Sequence, residues 1–351
     1  MYPRIVINLP KLVHNAKTVT SFLKARGISC FLVGKVMAGN KKVLSRLASC
    51  GFTYLADSRI QNLIRLKTIP LPKALLRIPM PSEVNLLVDW VDLVLVSELE
   101  TIRKINQRAE NRAKIIDIIV MFDLGDLREG IFYKNDYINL IEAILKLSHI
   151  RLRGIGTNLT CYGAIIPDTD NMNALVAIKQ TIEEKFGIVL DIISGGNSSS
   201  FYLVDQLPDA VNNLRIGEAI FLGKETAFGT ALLGCYQDVF RLEAEVVEVQ
   251  DKPSYPIGTM TRNAFGEIPH IADQGKMTRG ICAIGKQDVD PVHLTSLDPA
   301  IAILGASSDH LLLDCRKKVA VGDKLGFRLD YGGLLQAMTS SYVHKKIIKN
   351  E

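Results

Sequence analysis

Apolar positions along the chain fall into two textures. Between residues 28 and 216, short apolar runs recur at 28–36, 52–56, 74–78, 92–96, 115–122, 151–156, 189–194 and 212–216, and segments with helical spacing follow most of them. Before the first run, Pro10 opens a helix reaching about Arg26, with Leu12, Val13, Ala16, Val19 and Leu23 on its apolar side. Ser58-x-x-Gln61 and Ser97-x-x-Glu100 have the spacing of capping boxes. Ile138, Ile141 and Leu145 stripe a later helix, and Leu175, Ile178, Ile182 and Phe186 the next. Eight apolar runs alternating with helices predict a closed (β/α)8 TIM barrel rather than an open doubly wound sheet. No Gly-x-Gly-x-x-Gly follows the first run, which counts against a dinucleotide site.

Near residue 225 the texture changes. Strand-like runs at 240–249, 280–284, 300–304, 310–314 and 324–329 recur between Gly, Pro and Asp turns with little helical periodicity. The expectation is a barrel domain over 9–225 and a mainly β domain over 226–351. A strand at 1–8, where Ile5 and Ile7 alternate with Arg4 and Asn8, has no place in the barrel and is expected to join the β domain.

A length of 351 residues with 48% hydrophobic content can build a sizeable core in both domains. No apolar run approaches the roughly 18–20 residues that span a bilayer, and the first residues lack the zones of a signal peptide, so the chain reads as cytoplasmic with no membrane partner. Cys30, Cys50, Cys161, Cys235, Cys282 and Cys315 are scattered without a Cys-x-x-Cys pair, which predicts reduced thiols and no metal site. Lys and Arg exceed Asp and Glu by 42 to 37, but the excess is spread out, so no nucleic-acid partner is expected.

Barrel active sites lie at the carboxyl ends of the strands. Lys35 falls there after the first run, either as an amine used for Schiff-base chemistry or as a side chain snorkelling from the strand end. Asp57-Ser-Arg, Asp123 to Gly130, Gly156 to Gly163, Ser194 to Ser200 and Arg215-Ile-Gly follow later runs. Ser194-Gly-Gly-Asn-Ser-Ser-Ser offers backbone amides and hydroxyls to an anion, in the part of the barrel where phosphates dock, or else forms a solvated turn. Gly217 adds a further amide.

Taken together, Gly34-Lys35, Asp123-x-Gly-Asp-Leu-Arg-Glu-Gly, Gly156-Thr-Asn-Leu-Thr-Cys-Tyr-Gly, Ser194-Gly-Gly-Asn-Ser-Ser-Ser and Leu214-Arg-Ile-Gly-Glu-Ala-Ile resemble the alanine racemase superfamily of pyridoxal-phosphate enzymes, most closely its alanine/ornithine racemase branch. The resemblance extends into the second domain through Gly285-Lys-Gln-Asp-Val-Asp-Pro and Leu304-Gly-Ala-Ser-Ser-Asp-His. It implies an alanine racemase-like fold and pyridoxal 5'-phosphate held on Lys35. It implies Arg215 at the pyridine nitrogen, and Asn197, Ser198, Gly217 and Tyr342 about the phosphate. Arg128 would stand near the phenolic oxygen, with Asn158 beside the cofactor. An amino-acid substrate such as ornithine and a head-to-tail homodimer with shared active sites are implied as well.

The chain also departs from the pattern. Gly285-Lys286-Gln287-Asp288 stands where the family has a catalytic tyrosine turn, Asn158 where it has a histidine, and Gly39 where it has a phosphate-binding tyrosine. Racemisation needs a proton removed on one face of Cα and delivered on the other. Lys35 supplies one face; Lys286 is the positional candidate for the other, ahead of Ser308, His310, Tyr162 and Cys161. Asp288, Ser308 and Asp309 are candidates for holding the substrate, the carboxylates through a terminal ammonium, and Asp290 shares that chemistry; the alternative is solvated turn acids. Two other functions compete: a cofactor-binding homeostasis protein without turnover, which would lack the β domain, and an aldolase or decarboxylase on the same fold. D-Threonine aldolase relatives need a metal pair near the second domain's end, where this sequence has only His344.

Overall fold

The computed structural model describes residues 1–349. Strand β1 (Arg4–Asn8) belongs to the second sheet, treated below. The barrel strands are β2 (Ser29–Val33), β3 (Tyr54–Asp57), β4 (Lys73–Leu75), β5 (Leu93–Val96), β6 (Ile116–Asp123), β8 (Ile150–Thr157), β9 (Ile192–Ser194) and β10 (Asn213–Ile216), with a two-residue β7 (Ile131–Phe132) appended beside β6. All pair in parallel, and the β5–β6 and β10–β2 pairings complete a closed ring of eight. Around it run α1 (Leu9–Lys24), α2 (Lys41–Leu47), α3 (Ile60–Arg65), α4 (Val84–Trp90), α5 (Leu99–Glu110), α6 (Ile138–Leu145), α7 (Thr169–Phe186) and α8 (Glu218–Leu222). The eight apolar runs are therefore the eight barrel strands.

Side-chain alternation divides the barrel core into two layers. Val94, Val96, Ile118, Val120 and Phe122 face outward and pack with helix residues such as Leu87, Ile102 and Ile105. Leu93, Leu95, Ile119 and Met121, the alternate residues of the same strands, fill the interior with Phe31 and Val33 of β2 and without any helix residue. Among the described residues no helix is long and apolar enough to cross a membrane.

Neither expected capping box forms. The N-cap of α3 is Arg59, whose amide is taken by Asp57 Oδ1 at 2.9 Å, and the N-cap of α5 is Glu98, with no side-chain cap. In both cases the helix starts one residue beyond the register that the serine needs, and at α3 the Arg59 amide is held by the strand-end carboxylate of Asp57. The box that does form joins Asp168 and Asn171 at the start of α7, with both reciprocal bonds made.

The second compact unit comprises Met1–Pro10 and the chain from Asp238 onward. Its sheet contains β11 (Phe240–Pro253), β12 (Lys276–Cys282), β13 (Leu294–Ser296), β14 (Ile301–Ala306), β15 (Leu311–Cys315), β16 (Lys324–Leu329) and β17 (His344–Ile348), in the order β13-β16-β11-β12-β15-β14, while β1 pairs antiparallel with β11 and parallel with β17. Helix α9 (Tyr331–Thr339) escapes a periodicity search because Gly332 and Gly333 occupy its first turn. A Cβ on Gly332 would meet the His293 ring at 2.5 Å, and Asp330 Oδ1 caps the helix through the Gly333 amide at 2.9 Å. Strand β17 escapes for a different reason: its sequence, His-Lys-Lys-Ile-Ile, is too charged to read as an apolar run.

One close approach inside the barrel has a measurable consequence. A Cβ on Gly154 would sit 1.8 Å from the Ile192 carbonyl oxygen, so Gly154→Ala must push β8 away from β9. It is expected to lower stability by about 3 kcal/mol or more, read as a fall in the urea midpoint; a midpoint within error of the parent's would contradict the packing.

Candidate active site

The apolar strand β2 ends at Val33, where Gly34 donates its amide to the Ala56 carbonyl at 2.8 Å. A Cβ on Gly34 would press on Leu44 at 3.1 Å. Lys35 then opens a single 3-10 turn, Lys35–Met37, in which Val36 and Met37 are buried and Lys35 is exposed. Lys35 therefore lies just past the strand's carboxyl end, where the turn anchors itself through its apolar residues and holds the amine outside the strand. The neighbouring strand end carries Asp57, fully buried, accepting from the Arg59 amide and from Asn62 Nδ2 at 3.1 and 3.2 Å.

Across the closing β10–β2 pair, Arg215 stands opposite Phe31 and is 4% exposed. A buried guanidinium must have its N–H groups answered. Here Nη1 donates to Ser194 Oγ at 2.5 Å and Nη2 to the Thr157 carbonyl at 2.6 Å. Ser194 Oγ donates onward to Asn213 Oδ1 at 2.6 Å, and Asn213 Nδ2 reaches Ser29 Oγ at 3.0 Å, so a polar thread crosses the interior. Burial lowers the Arg215 pKa to about 10; Glu129 and Cys161 raise it and Arg128 lowers it further. It stays charged at neutral pH.

Ser198, also buried, places its Oγ where the amides of Gly217 (3.4 Å) and Ala219 (3.2 Å) converge at the start of α8. The Ser-rich segment is a 3-10 stretch, Ser198–Gln206, rather than a solvated loop. Asn197 caps it by accepting the Ser199 amide at 2.7 Å, and Gly196, at φ +116°, makes the bend that an L side chain would strain. Ser199 Oγ is buried with no hydrogen-bond partner among the described residues, and so is Thr157 Oγ1.

Asn197 Nδ2 also donates to Asn158 Oδ1 (2.7 Å) and to the Leu159 carbonyl (3.0 Å). Asn158 Nδ2 donates to Glu129 Oε1 at 3.3 Å, and Glu129 takes the Arg128 guanidinium with both oxygens, at 2.6 and 2.5 Å. Asp126, fully buried, collects the amides of Cys161, Tyr162 and Ile165 and so shapes the 158–165 loop. Desolvation raises the Cys161 thiol, partly offset by the charges of Arg128 and Lys35. Tyr162 is 77% exposed. Asp126 and Glu129 escaped the sequence reading, although both lie inside a motif it singled out. An acid in a Gly-containing turn reads as solvated until its amide partners are known.

The remaining candidates lie in the second unit. Gly285 and Lys286 pack against the Ser307–Asp309 turn: a Cβ on Gly285 would meet the Ser308 carbonyl oxygen at 2.3 Å, and the Lys286 amide donates to Ser307 at 2.9 Å. Lys286 Nζ sits 3.3 Å from Glu267 Oε2 and 4.5 Å from the centre of the Phe265 ring. Asp309 Oδ1 accepts from Gln287 at 3.1 Å and, like Ser308 and His310, is exposed. Asp288 differs, since its carboxylate is buried and accepts the Ser340 hydroxyl at 2.6 Å, and Asp290 caps a 3-10 turn through the Val292 amide. Tyr342 is 71% exposed. Among the described residues no group of three or more His, Cys, Asp and Glu side chains is set to hold a metal ion.

The donor set at the barrel's carboxyl end suits a phosphorylated pyridine. A primary amine, the Ser198 turn with its converging amides and the unanswered Ser199 hydroxyl next in sequence, and a fixed buried guanidinium are chemically matched to an aldehyde, a phosphate and a ring nitrogen. Residues 7–225 match the family described as alanine racemase, N-terminal domain. The chain is 44% identical to the ornithine racemase of Acetoanaerobium sticklandii over 99% of its length and 100% of that protein's. It is 38% identical to the lysine racemase of Thermotoga maritima over 98% of each. Its fold is similar to that of the alanine racemase from Bartonella henselae with covalently bound pyridoxal phosphate, at a TM-score of 0.75 and 17% identity, covering 99% of this chain and 100% of that one. The chain belongs to the alanine racemase family.

Burial raises the Asp57 pKa from 3.8 to about 6, with the Arg59 amide, Asn62 and Lys35 opposing it. Between those values the folded chain keeps a proton that the unfolded chain releases, so stability falls as pH rises through the window and is fully present only below it. Asp57→Asn should remove this slope. Relative to the parent, the variant is expected to gain on the order of 2 kcal/mol between pH 4 and pH 7, read from urea midpoints; a constant difference across pH would reject the assignment.

Proposed function

We propose that this chain interconverts the L and D forms of a diamino acid of the ornithine or lysine type, using pyridoxal 5'-phosphate. It is an amino-acid racemase of the alanine racemase family, and the diamino substrate rests on the full-length likeness to two racemases named for such amino acids. The observation that carries the chemistry is the convergence of Lys35, the buried Arg215 and the Ser198 turn on one end of the barrel.

When bound, the cofactor withdraws electrons from the substrate Cα and so eases loss of its proton. Lys35 Nζ is the group we assign to holding the cofactor and to moving the Cα proton on one face. Arg215 presents N–H donors to the ring nitrogen and keeps its own proton, because a pKa lowered only to about 10 leaves it charged at neutral pH. A donor that keeps its own proton would leave that ring nitrogen unprotonated, moderating charge delocalisation and favouring return of the proton over side reactions. Asn197, Ser198 and Gly217, with Tyr342, are assigned to the phosphate, and Arg128 and Asn158 to the phenolic side.

Lys286 is our candidate for the second face, delivered by a second copy of the chain in a head-to-tail dimer. Ser308 and Asp309, both exposed, suit the substrate; Asp309 offers a carboxylate to a distal ammonium. Asp288 is already committed to Ser340 and ranks behind it in that role.

Purified protein incubated with pyridoxal phosphate and single enantiomers of ornithine, lysine, alanine and serine in D2O should invert a diamino acid fastest, with deuterium appearing at Cα. Deuterium gain with retained chirality would show a missing second base, and fastest turnover of alanine or serine would reject the substrate class. In Lys35→Ala, borohydride should trap no covalent cofactor and racemisation should fall by at least about a thousandfold; trapped cofactor in the variant would remove Lys35 from its role. Lys286→Ala should slow exchange from one enantiomer more than from the other, and equal slowing would take Lys286 off the second face.

A further inference from the structure

Three cationic side chains, Lys35, Arg128 and Arg215, belong to the proposed cofactor site, and the acids nearby are not equally free to balance them. Asp123 spends an oxygen on the amides of Gly125 and Leu127, and Asp126 spends both on the 161–165 loop. Asp57 is bound to the Arg59 amide and to Asn62. Glu129 instead spends both oxygens on side chains assigned to the cofactor.

The direction of each bond matters. Asn197 Oδ1 accepts from the Ser199 amide, and this orientation turns its Nδ2 toward Asn158. Asn158 must answer with Oδ1, which turns its own Nδ2 toward Glu129. A carboxylate accepts and does not donate, and it alone satisfies both that amide and the guanidinium of Arg128. The backbone holds Glu129 in this position. Gly130, at φ +119°, folds the chain so closely over the end of β6 that a Cβ there would lie 2.7 Å from the Asp123 amide nitrogen, and β7 then pairs with Phe122 and Asp123.

We propose that Glu129 is a positioning residue of the cofactor site: by clamping Arg128 in two-oxygen geometry and orienting Asn158, it fixes the donors on the phenolic side and sets the charge there. The inference rests on the function proposed above and deepens it. The balance of effects on Arg128 agrees: burial pushes its pKa down, and the Glu129 hydrogen bond, together with the charges of Cys161, Glu129 and Asp126, raises it overall.

The test is a pH titration of the visible absorbance of bound pyridoxal phosphate, with its dissociation constant measured alongside. Glu129→Gln removes one negative charge and leaves a single acceptor oxygen for three N–H groups. It is expected to move the titration midpoint down by about half a pH unit or more and to weaken cofactor affinity at least about fivefold. Glu129→Asp keeps the charge and shortens the clamp, so it should hold the parent midpoint while losing part of the affinity. Should Glu129→Gln fail to fold, Glu129→Ala, which also removes the charge, carries the test: a lowered midpoint supports the role, and the parent midpoint overturns it. A Glu129→Gln midpoint equal to the parent's overturns the proposal, even if activity falls, because a purely structural residue would leave the midpoint alone. No visible band in the parent protein would overturn both this inference and the proposed function; a normal band in the parent with an unmoved midpoint in Glu129→Gln overturns this inference only.

Discussion

Closure of the parallel barrel through the β10–β2 pairing is the constraint on which the candidate site depends. The register Asn213↔Ser29 through Ile216↔Leu32 joins stretches that lie at opposite ends of the barrel sequence. It sets Arg215 beside Phe31 in the interior and brings the backbone at Gly217 against Val33, where a Cβ would meet the Val33 carbonyl oxygen at 3.2 Å. A shift of one residue would turn Arg215 outward into the helical layer and leave the thread from Ser29 through Asn213 and Ser194 without its end. The pairing thus supports the site as much as it supports the barrel.

The polar groups inside that ring form connected chains rather than isolated pairs. Arg215 is answered by a hydroxyl and a carbonyl, and with the charge of Glu129 acting in its favour it carries its own charge in a buried place. On the other side of the site, Asn197, Asn158, Glu129 and Arg128 form a second chain whose direction is fixed by the amide that Asn197 caps. The two chains use different chemistry for related ends: one fixes a donor by burial, the other by charge.

The second unit shows how turns can be specified by close backbone approach. Gly285 and the Ser307–Asp309 turn fit together because no Cβ intervenes, which sets the backbone on which Lys286 and Asp309 are presented. The unit also separates two acids that read alike in sequence. Asp288 is buried on Ser340 whereas Asp309 is exposed, and nothing in the spacing Gly-Lys-Gln-Asp distinguishes them.

Hydrophobic periodicity by itself determined the eight barrel strands, the principal helices and the change to a β texture, since runs such as 115–122 have one burial solution. The position of Lys35 and the Ser-rich turn at strand ends was equally legible, because strand direction decides which end a loop leaves from. Short or polar elements were not: the glycines of α9 and the lysines of β17 hide their structure, and the Ser58 and Ser97 boxes gave way to helices that start one residue later. Only the tertiary structure decided the roles of Asp126 and Glu129, the exposure of Lys35 and the burial of Asp288. A polar side chain's part is set by which donors and acceptors reach it, and those partners come from strands and loops that sequence spacing leaves far apart.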